Sequence, residues 1–326
     1  FEIEKDRFCS VKLDAITTDA LRLQIHLKPG YSSEISEWRV TPEKVVVEPA
    51  SAKVKKKRPN IVFIYGDDHS EAAISSYGSR INQTPNIDRL ASMGMRFTQS
   101  FVANSICGPA RATLLTGTHS HINGRVNNVS AFKDDLPTWS KQMQAEGYQT
   151  AMIGKWHLPT KPSGFDFWAK TSGYYSAGMQ SSEGKLDRSG YTVDVITDVG
   201  LDWMKNSDPE KPFAIWLSHN AVHRTWMPAA DKLNHYRNDT IPEPSTLFDD
   251  YAGRSPGAAI AQMRISKDLF PAYDLKLPVT GEGILDGAAT RNLKNLSDET
   301  REAWKAAYGP GNQAFLDANL SGDELT

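Results

Sequence analysis

The chain has 326 residues, of which 39% are hydrophobic and 23% charged, enough apolar side chain for a large core and too balanced a composition for an obligately disordered chain. A formal net charge of -2 excludes a global basic field for nucleic acid or a membrane surface, so any anion recognition has to be local. Two cysteines, Cys9 and Cys107, exclude a disulfide scaffold, and no run approaches the roughly 20 apolar residues of a membrane span. The opening FEIEKDRFCS has neither a basic nor an apolar leader region, so Phe1 reads as an interior point of a longer precursor.

Residues 1–50 read as short β segments. In Ala20 to Leu27 apolar and polar residues alternate before the turn signal Lys28-Pro29-Gly30. The stretch TTDALRLQIHLKPGYSSEISEWRV resembles the closing strands of accessory β modules on bacterial glycoside hydrolases. A linker over 51–58 follows, with five basic residues among its last six, read as a solvated tether in preference to a nuclear-targeting signal. From Pro59 the pattern becomes α/β. The run Ile61-Val62-Phe63-Ile64-Tyr65 suits a central, largely parallel strand ending on Gly66-Asp67-Asp68. A helix is expected near Ile87 to Met95, with Ile87, Leu90, Ala91 and Met95 on one face, then a strand near Arg96 to Val102. A helix after Pro109, another over Leu136 to Gly147, a strand over Thr150 to Ile153, a helix over Val193 to Lys205 and a strand over Phe213 to Leu217 complete the alternation. That pattern implies a central, largely parallel sheet with helices on both faces. Pro228 to Asp250 reads as an irregular excursion, and no internal repeat is visible.

Two places carry candidate chemistry. Ligands of open parallel sheets gather outside the carboxyl ends of the strands, where Asp67 and Asp68 fall. Adjacent carboxylates there suit a hard cation such as calcium, and equally suit a turn with a helix cap. In Asn104 to Gly117, Pro109 is favoured in the first turn of a helix, which puts Cys107 at the amino-terminal end, where free N–H groups favour an anion. Arg111, one turn in, offers a bidentate guanidinium for a tetrahedral oxyanion. A lone cysteine is also a common small buried hydrophobe.

Cys107-x-Pro109-x-Arg111 followed by Thr116-Gly117 resembles the maturation signature of type I formylglycine-dependent sulfatases, in the alkaline phosphatase superfamily. Gly147-Tyr148-Gln149-Thr150-Ala151-Met152-Ile153-Gly154-Lys155-Trp156-His157 resembles the second sulfatase signature, and Asp67-Asp68 and Thr84 to Leu90 match as well. The resemblance implies that Cys107 becomes formylglycine, whose hydrated form supplies the attacking oxygen, and that Asp67, Asp68 and the modified Cys107 bind one calcium ion. Arg111 would steady that residue, Lys155 would bind a sulfate oxygen, and His157 would contact the second hydroxyl and help release sulfate. His223, in Leu217 to Arg224, resembles the histidine that faces the leaving-group oxygen. A maturating enzyme is an implied partner, and a periplasmic or secreted location is implied by family alone.

The family also supplies a second metal pair and a further sulfate-binding lysine from a later strand, in a stretch resembling SDHG or SDQG. No such stretch follows Phe213, so 59–326 is expected to be a catalytic domain without its carboxy-terminal part. The region from His219 to Met227, with Thr240 to Pro244 and Leu247 to Tyr251, resembles the carbohydrate branch of the family, which makes a sulfated glycan the expected substrate. His121, Arg224 and Trp226 are candidate sugar contacts beside Lys155 and His223, with His69 and His119 as further candidates and Trp226 equally readable as core. The competing readings are a phosphate or phosphonate monoester hydrolase of the same superfamily, against which Cys107 argues, and a noncatalytic glycan-binding remnant.

Overall fold

The computed structural model describes residues 58–260, 268, 270–277 and 295–320. The expected β module over 1–50 and nearly all of the 51–58 linker lie outside the described residues. Four parallel strands form the body of the sheet: β1 (Ile61–Tyr65), β2 (Gln149–Gly154), β3 (Phe167–Lys170) and β6 (Phe213–Ser218). The hairpin of β4 (Tyr175–Ser181) and β5 (Gly184–Tyr191) extends it antiparallel, in the order β1-β6-β2-β3-β4-β5. This is the α/β architecture that the alternating pattern implies.

Side chains alternate between the two faces of a strand, so a strand covered on both sides must be apolar throughout. On one face Ala151, Ile153, Ile215 and Leu217 pack against Ile196 and Val199 of α5 (Thr192–Lys205). On the other, Met152 and Trp216 meet Ala112 and Leu115 of α2 (Cys107–Thr116), with Trp139 of α4 (Trp139–Ala145) at the margin. Between α2 and α4 lies a single turn, α3 (Ser120–Asn123). After β6 the chain makes short helices α6 (Pro256–Ala259) and α7 (Pro271–Asp274) and the long α8 (Asp298–Ala318), whose Trp304 joins a cluster with Tyr174 and Tyr175. Among the described residues no helix is long and apolar enough to cross a membrane.

Three sequence expectations change. β1, read as central, pairs only with β6 among the described residues and leaves Val62 and Ile64 exposed at 47% and 59%. The helix expected near Ile87 begins earlier, as α1 (Pro85–Met93), because Pro85 sits at its first position, and its apolar face at Leu90 is exposed. The strand expected over Arg96 to Val102 is irregular. No neighbouring strand pairs with it among the described residues, and the Phe97 carbonyl instead accepts from the Tyr77 hydroxyl at 2.8 Å. A β-prone sequence without a ladder partner has nothing to hold it extended.

Candidate active site

The carboxyl ends of β1, β6 and β2 lie side by side, and the loops leaving them are laced together. The Asp67 amide donates to the Ala221 carbonyl at 3.1 Å, His219 donates to the Tyr65 carbonyl at 2.9 Å, and Lys155 donates to the Ser218 carbonyl at 2.8 Å. Gly154 makes the last of these possible. Its φ is 115°, and a Cβ there would lie 2.1 Å from the Ser218 oxygen.

Arg111 is the centre of the site and is fully buried. From α2 its guanidinium donates to the Lys155 carbonyl at 2.7 Å and to the Ser218 hydroxyl, stacks over the Tyr65 ring at 5.0 Å, and stands 3.5 Å from an Asp67 oxygen. The Ser218 hydroxyl in turn donates to the Lys155 carbonyl at 2.7 Å. Lys155 lays its ammonium on the same Asp67 oxygen. A buried carboxylate is thereby flanked by two cations, which is the condition for keeping it charged away from water. Arg111 Nε carries no hydrogen bond, and Nη2 is engaged by Asp67 as an ion pair.

Cys107 opens α2, as Pro109 requires, and its thiol is partly exposed. Burial pushes its pKa up, but hydrogen bonds with the side chains of His157, His223 and Asn128 and the nearby Lys155 charge outweigh that and bring it down to about 5. Two atoms of Asn128 lie 3.4 and 3.6 Å from Cys107 Sγ, and the Asn128 oxygen accepts the Gly108 N–H at 3.0 Å, capping the helix from a distant loop. Gly108 leaves the space for this, since a Cβ there would be 2.8 Å from that oxygen. Buried Arg125 holds the loop closed by donating to the carbonyls of Asn128, Ser130 and His157. Asn128, Arg125 and Ser218 escaped the sequence reading. Asn128 reaches Gly108 across 20 residues, Arg125 reaches His157 across 32 and Ser218 meets Arg111 across 107, contacts that no local pattern announces.

His223 shares both neighbours of the pit: its side chain bonds Cys107, which raises its pKa despite burial, and its Nε2 lies 3.8 Å from an Asp68 oxygen. Its Nδ1 faces the Arg224 carbonyl. With a proton on Nδ1, the working nitrogen toward the pit is Nε2. The arrangement can therefore bind a tetrahedral anion against fixed cations and offer an imidazole on the open side.

Asp67, Asp68, Cys107, Arg111, Lys155, His157 and His223 thus meet at one place. The remaining candidates do not join them directly. Arg224 donates to Asp274, at 2.6 Å through Nε, and to the Asp268 carbonyl at 2.8 Å. Trp226 is 50% exposed, which removes the reading of it as core. His121 is exposed and stacks on His119 with ring centres 5.9 Å apart.

A family model for sulfatases matches residues 59–268. The chain belongs to the sulfatase family. Among sulfatase relatives, N-acetylglucosamine-6-O-sulfatase of Bacteroides thetaiotaomicron is 40% identical over 84% of this chain and 50% of its own length. N-acetylglucosamine-6-sulfatase of Capra hircus is 29% identical over 57% of this chain and 38% of its own length. A solved structure of a protein in complex with its substrate D-glucosamine-2-N,6-O-disulfate matches with a TM-score of 0.77 and 40% identity, over 82% of this chain and 56% of that one. The chain therefore spans about half the length of the curated sulfatases it matches.

Two adjacent strand-end carboxylates are hard oxygen donors of the kind calcium takes. Among the described residues no group of three or more His, Cys, Asp or Glu side chains is gathered that could hold a metal, so this pair by itself is not a complete cation site.

Proposed function

We propose that the full-length protein is a sulfuric ester hydrolase that removes sulfate from a sulfated glycan, with the 6-O-sulfate of a glucosamine unit as first candidate. The observation that carries this is the meeting of Cys107, at the amino terminus of α2, with Arg111, Lys155, His157 and His223 beside two strand-end carboxylates. The sugar is suggested by the names of the relatives at 40% identity.

In this reading Asp67 and Asp68 hold calcium with the modified Cys107, and the ion supplies Lewis-acid stabilisation of charge on the sulfate oxygens. Cys107, converted to formylglycine by a maturating enzyme, supplies a hydrated aldehyde oxygen as nucleophile. Lys155 binds a nonbridging sulfate oxygen. Arg111 fixes Lys155 through its carbonyl and pairs with Asp67, so the cations are in place before charge develops in the transition state. His223, starting as the imidazolium, gives the proton on Nε2 to the bridging ester oxygen as its bond to sulfur breaks and keeps the proton on Nδ1, and the sugar leaves as a neutral alcohol. His157, which bonds Cys107, takes the proton of the second hydroxyl as the aldehyde C=O re-forms and the carbon–oxygen bond to sulfate breaks, releasing sulfate. Trp226, Arg224 and His121 are the candidate sugar contacts, with Arg224 held by its pair with Asp274. A periplasmic or extracellular location follows from where such glycans are met.

The test is kcat/KM of the full-length protein, coexpressed with a formylglycine-generating enzyme and checked for the aldehyde by peptide mass spectrometry. The panel is glucosamine 6-sulfate, longer sulfated glycans, an aryl sulfate and an aryl phosphate. Sulfated glycans should be preferred, and replacing Lys155, His157 or His223 should lower kcat/KM on every substrate. Phosphate as the best substrate would overturn the reading in favour of a phosphomonoesterase, and glycan binding without turnover would overturn it in favour of a noncatalytic protein.

A further inference from the structure

The segment 223–228 carries His223, Arg224 and Trp226 and has no helix or strand of its own. Backbone polar groups away from water need partners, and here side chains from elsewhere supply them. The Tyr174 hydroxyl donates to the His223 carbonyl, the Lys276 ammonium to the Thr225 carbonyl, the Tyr191 hydroxyl to the Met227 carbonyl at 3.1 Å and the Tyr175 hydroxyl to the Pro228 carbonyl at 3.0 Å. Three of these four donors are tyrosines of one hairpin, standing at the start of β4 and the end of β5.

The hairpin is itself fixed. Tyr174 and Tyr175 are buried, and the Tyr174 carbonyl accepts the Thr192 N–H at 2.8 Å. The Tyr191 ring stacks on Tyr174 with centres 6.4 Å apart and meets Tyr175 edge-on at 5.5 Å. Asn295 donates to the Tyr175 carbonyl at 3.0 Å, and Trp304 of α8 stands 3.5 Å from its hydroxyl. Burial drives the Tyr174 phenol well above its ordinary pKa and raises Tyr191 to about 12, so both remain donors across any working pH. The His223 carbonyl also takes the Trp226 N–H at 3.1 Å. A single carbonyl therefore links the imidazole, the exposed indole and the hairpin.

We propose that Tyr174, supported by Tyr191 and Tyr175, is a positioning residue that sets His223 against the pit. The proposal rests on the reading of His223 as the group facing the leaving oxygen. The Tyr174 hydroxyl touches neither substrate nor nucleophile. Its effect runs through the His223 backbone and fixes how far Nε2 stands from Asp68 and Cys107.

The consequence depends on the leaving group. A sugar alkoxide needs its proton as the sulfur–oxygen bond breaks, whereas a nitrophenolate leaves without one. In the matured full-length protein, Tyr174→Phe keeps the ring stack and removes only the hydroxyl. It is expected to lower kcat on glucosamine 6-sulfate about tenfold or more, in line with the sensitivity of catalysis to small misplacements, while kcat on 4-nitrophenyl sulfate falls less than about threefold. His223→Ala should show the same bias, larger. An equal loss on both substrates, or none on either, overturns the proposal. If Tyr174→Phe does not fold, Tyr191→Phe at the other end of the segment is expected to show the same bias more weakly, and its absence overturns the proposal. If the wild type hydrolyses neither substrate, the proposed function falls, and the positioning claim is then read from crystal structures of wild type and Tyr174→Phe. The His223 Nε2 to Asp68 distance, 3.8 Å here, should lengthen in the variant, and an unchanged distance overturns the claim.

Discussion

The two walls of the pit are built in opposite ways. On the inner wall, Arg111 has no exposed surface and ties α2, β6, the β2 end and Asp67 together through its own guanidinium. On the outer wall, His223, Arg224 and Trp226 ride on an irregular segment whose carbonyls are held by tyrosines and a lysine from other elements. In the proposed reaction the inner wall would face the sulfate, the part of the ester that never varies, and fixed buried cations suit that duty at the expense of tolerance to change. The outer wall would face the alcohol. A segment suspended by a few side-chain donors can be altered there without disturbing the core.

The sharpest way to break this contrast is Arg111→Ala. It removes a buried guanidinium and leaves Asp67 with Lys155 alone, and should lower unfolding free energy by about 3 kcal/mol in chemical denaturation. A loss below about 1 kcal/mol would show that the inner wall is not locked into the core. Leu115→Ala, beneath it and 1% exposed, should cost a similar amount, about 3 kcal/mol by the same measurement.

Cys107 sharpens the contrast electrostatically. Its pKa is lowered to about 5, so in the unmodified protein the thiolate is present at neutral pH and is lost as pH falls through that value. An unfolded thiol ionises near 8.5, so the stabilisation from this group is complete above that pH and disappears toward about 5. Alkylation by iodoacetamide, followed by mass spectrometry from pH 4 to 9, should show its midpoint near the lower value. Asn128→Ala should move that midpoint upward by removing a hydrogen bond to sulfur. A midpoint in the ordinary thiol range for the wild type would contradict the geometry of the pit.

The smallest effect is expected on the outer wall. Trp226→Ala, at a half-exposed position, should change unfolding free energy by no more than about 0.5 kcal/mol while lowering kcat/KM on glycans selectively over an aryl sulfate. A large loss of stability would mean that the outer wall is structural after all. Leu90→Ala on the exposed face of α1 serves as the control, with no measurable change in Tm expected.

Much of this was legible along the chain because it depends on local order. Pro109 fixes where α2 starts and therefore where Cys107 stands, and the apolar runs of β2 and β6 mark strands covered by side chains on both faces. The β4–β5 hairpin was not read, since GKLDRSGY in β5 is mostly exposed and carries no clean alternation. The false strand over Arg96 to Val102 shows the reverse error, a β-prone sequence with no partner. The edge position of β1 was equally invisible, because strand order is a matter of pairing and not of composition.

By itself the sequence determined the α/β pattern, the helix end that presents Cys107 and the strand end that presents Asp67 and Asp68, all consequences of side-chain period and of proline's missing N–H. Only the tertiary structure decided that Asn128 caps α2, that Arg125 reaches the His157 carbonyl, and that Tyr174 holds His223. Those are hydrogen bonds between residues 20 to 49 positions apart, made by groups whose partners exist only once the chain has folded.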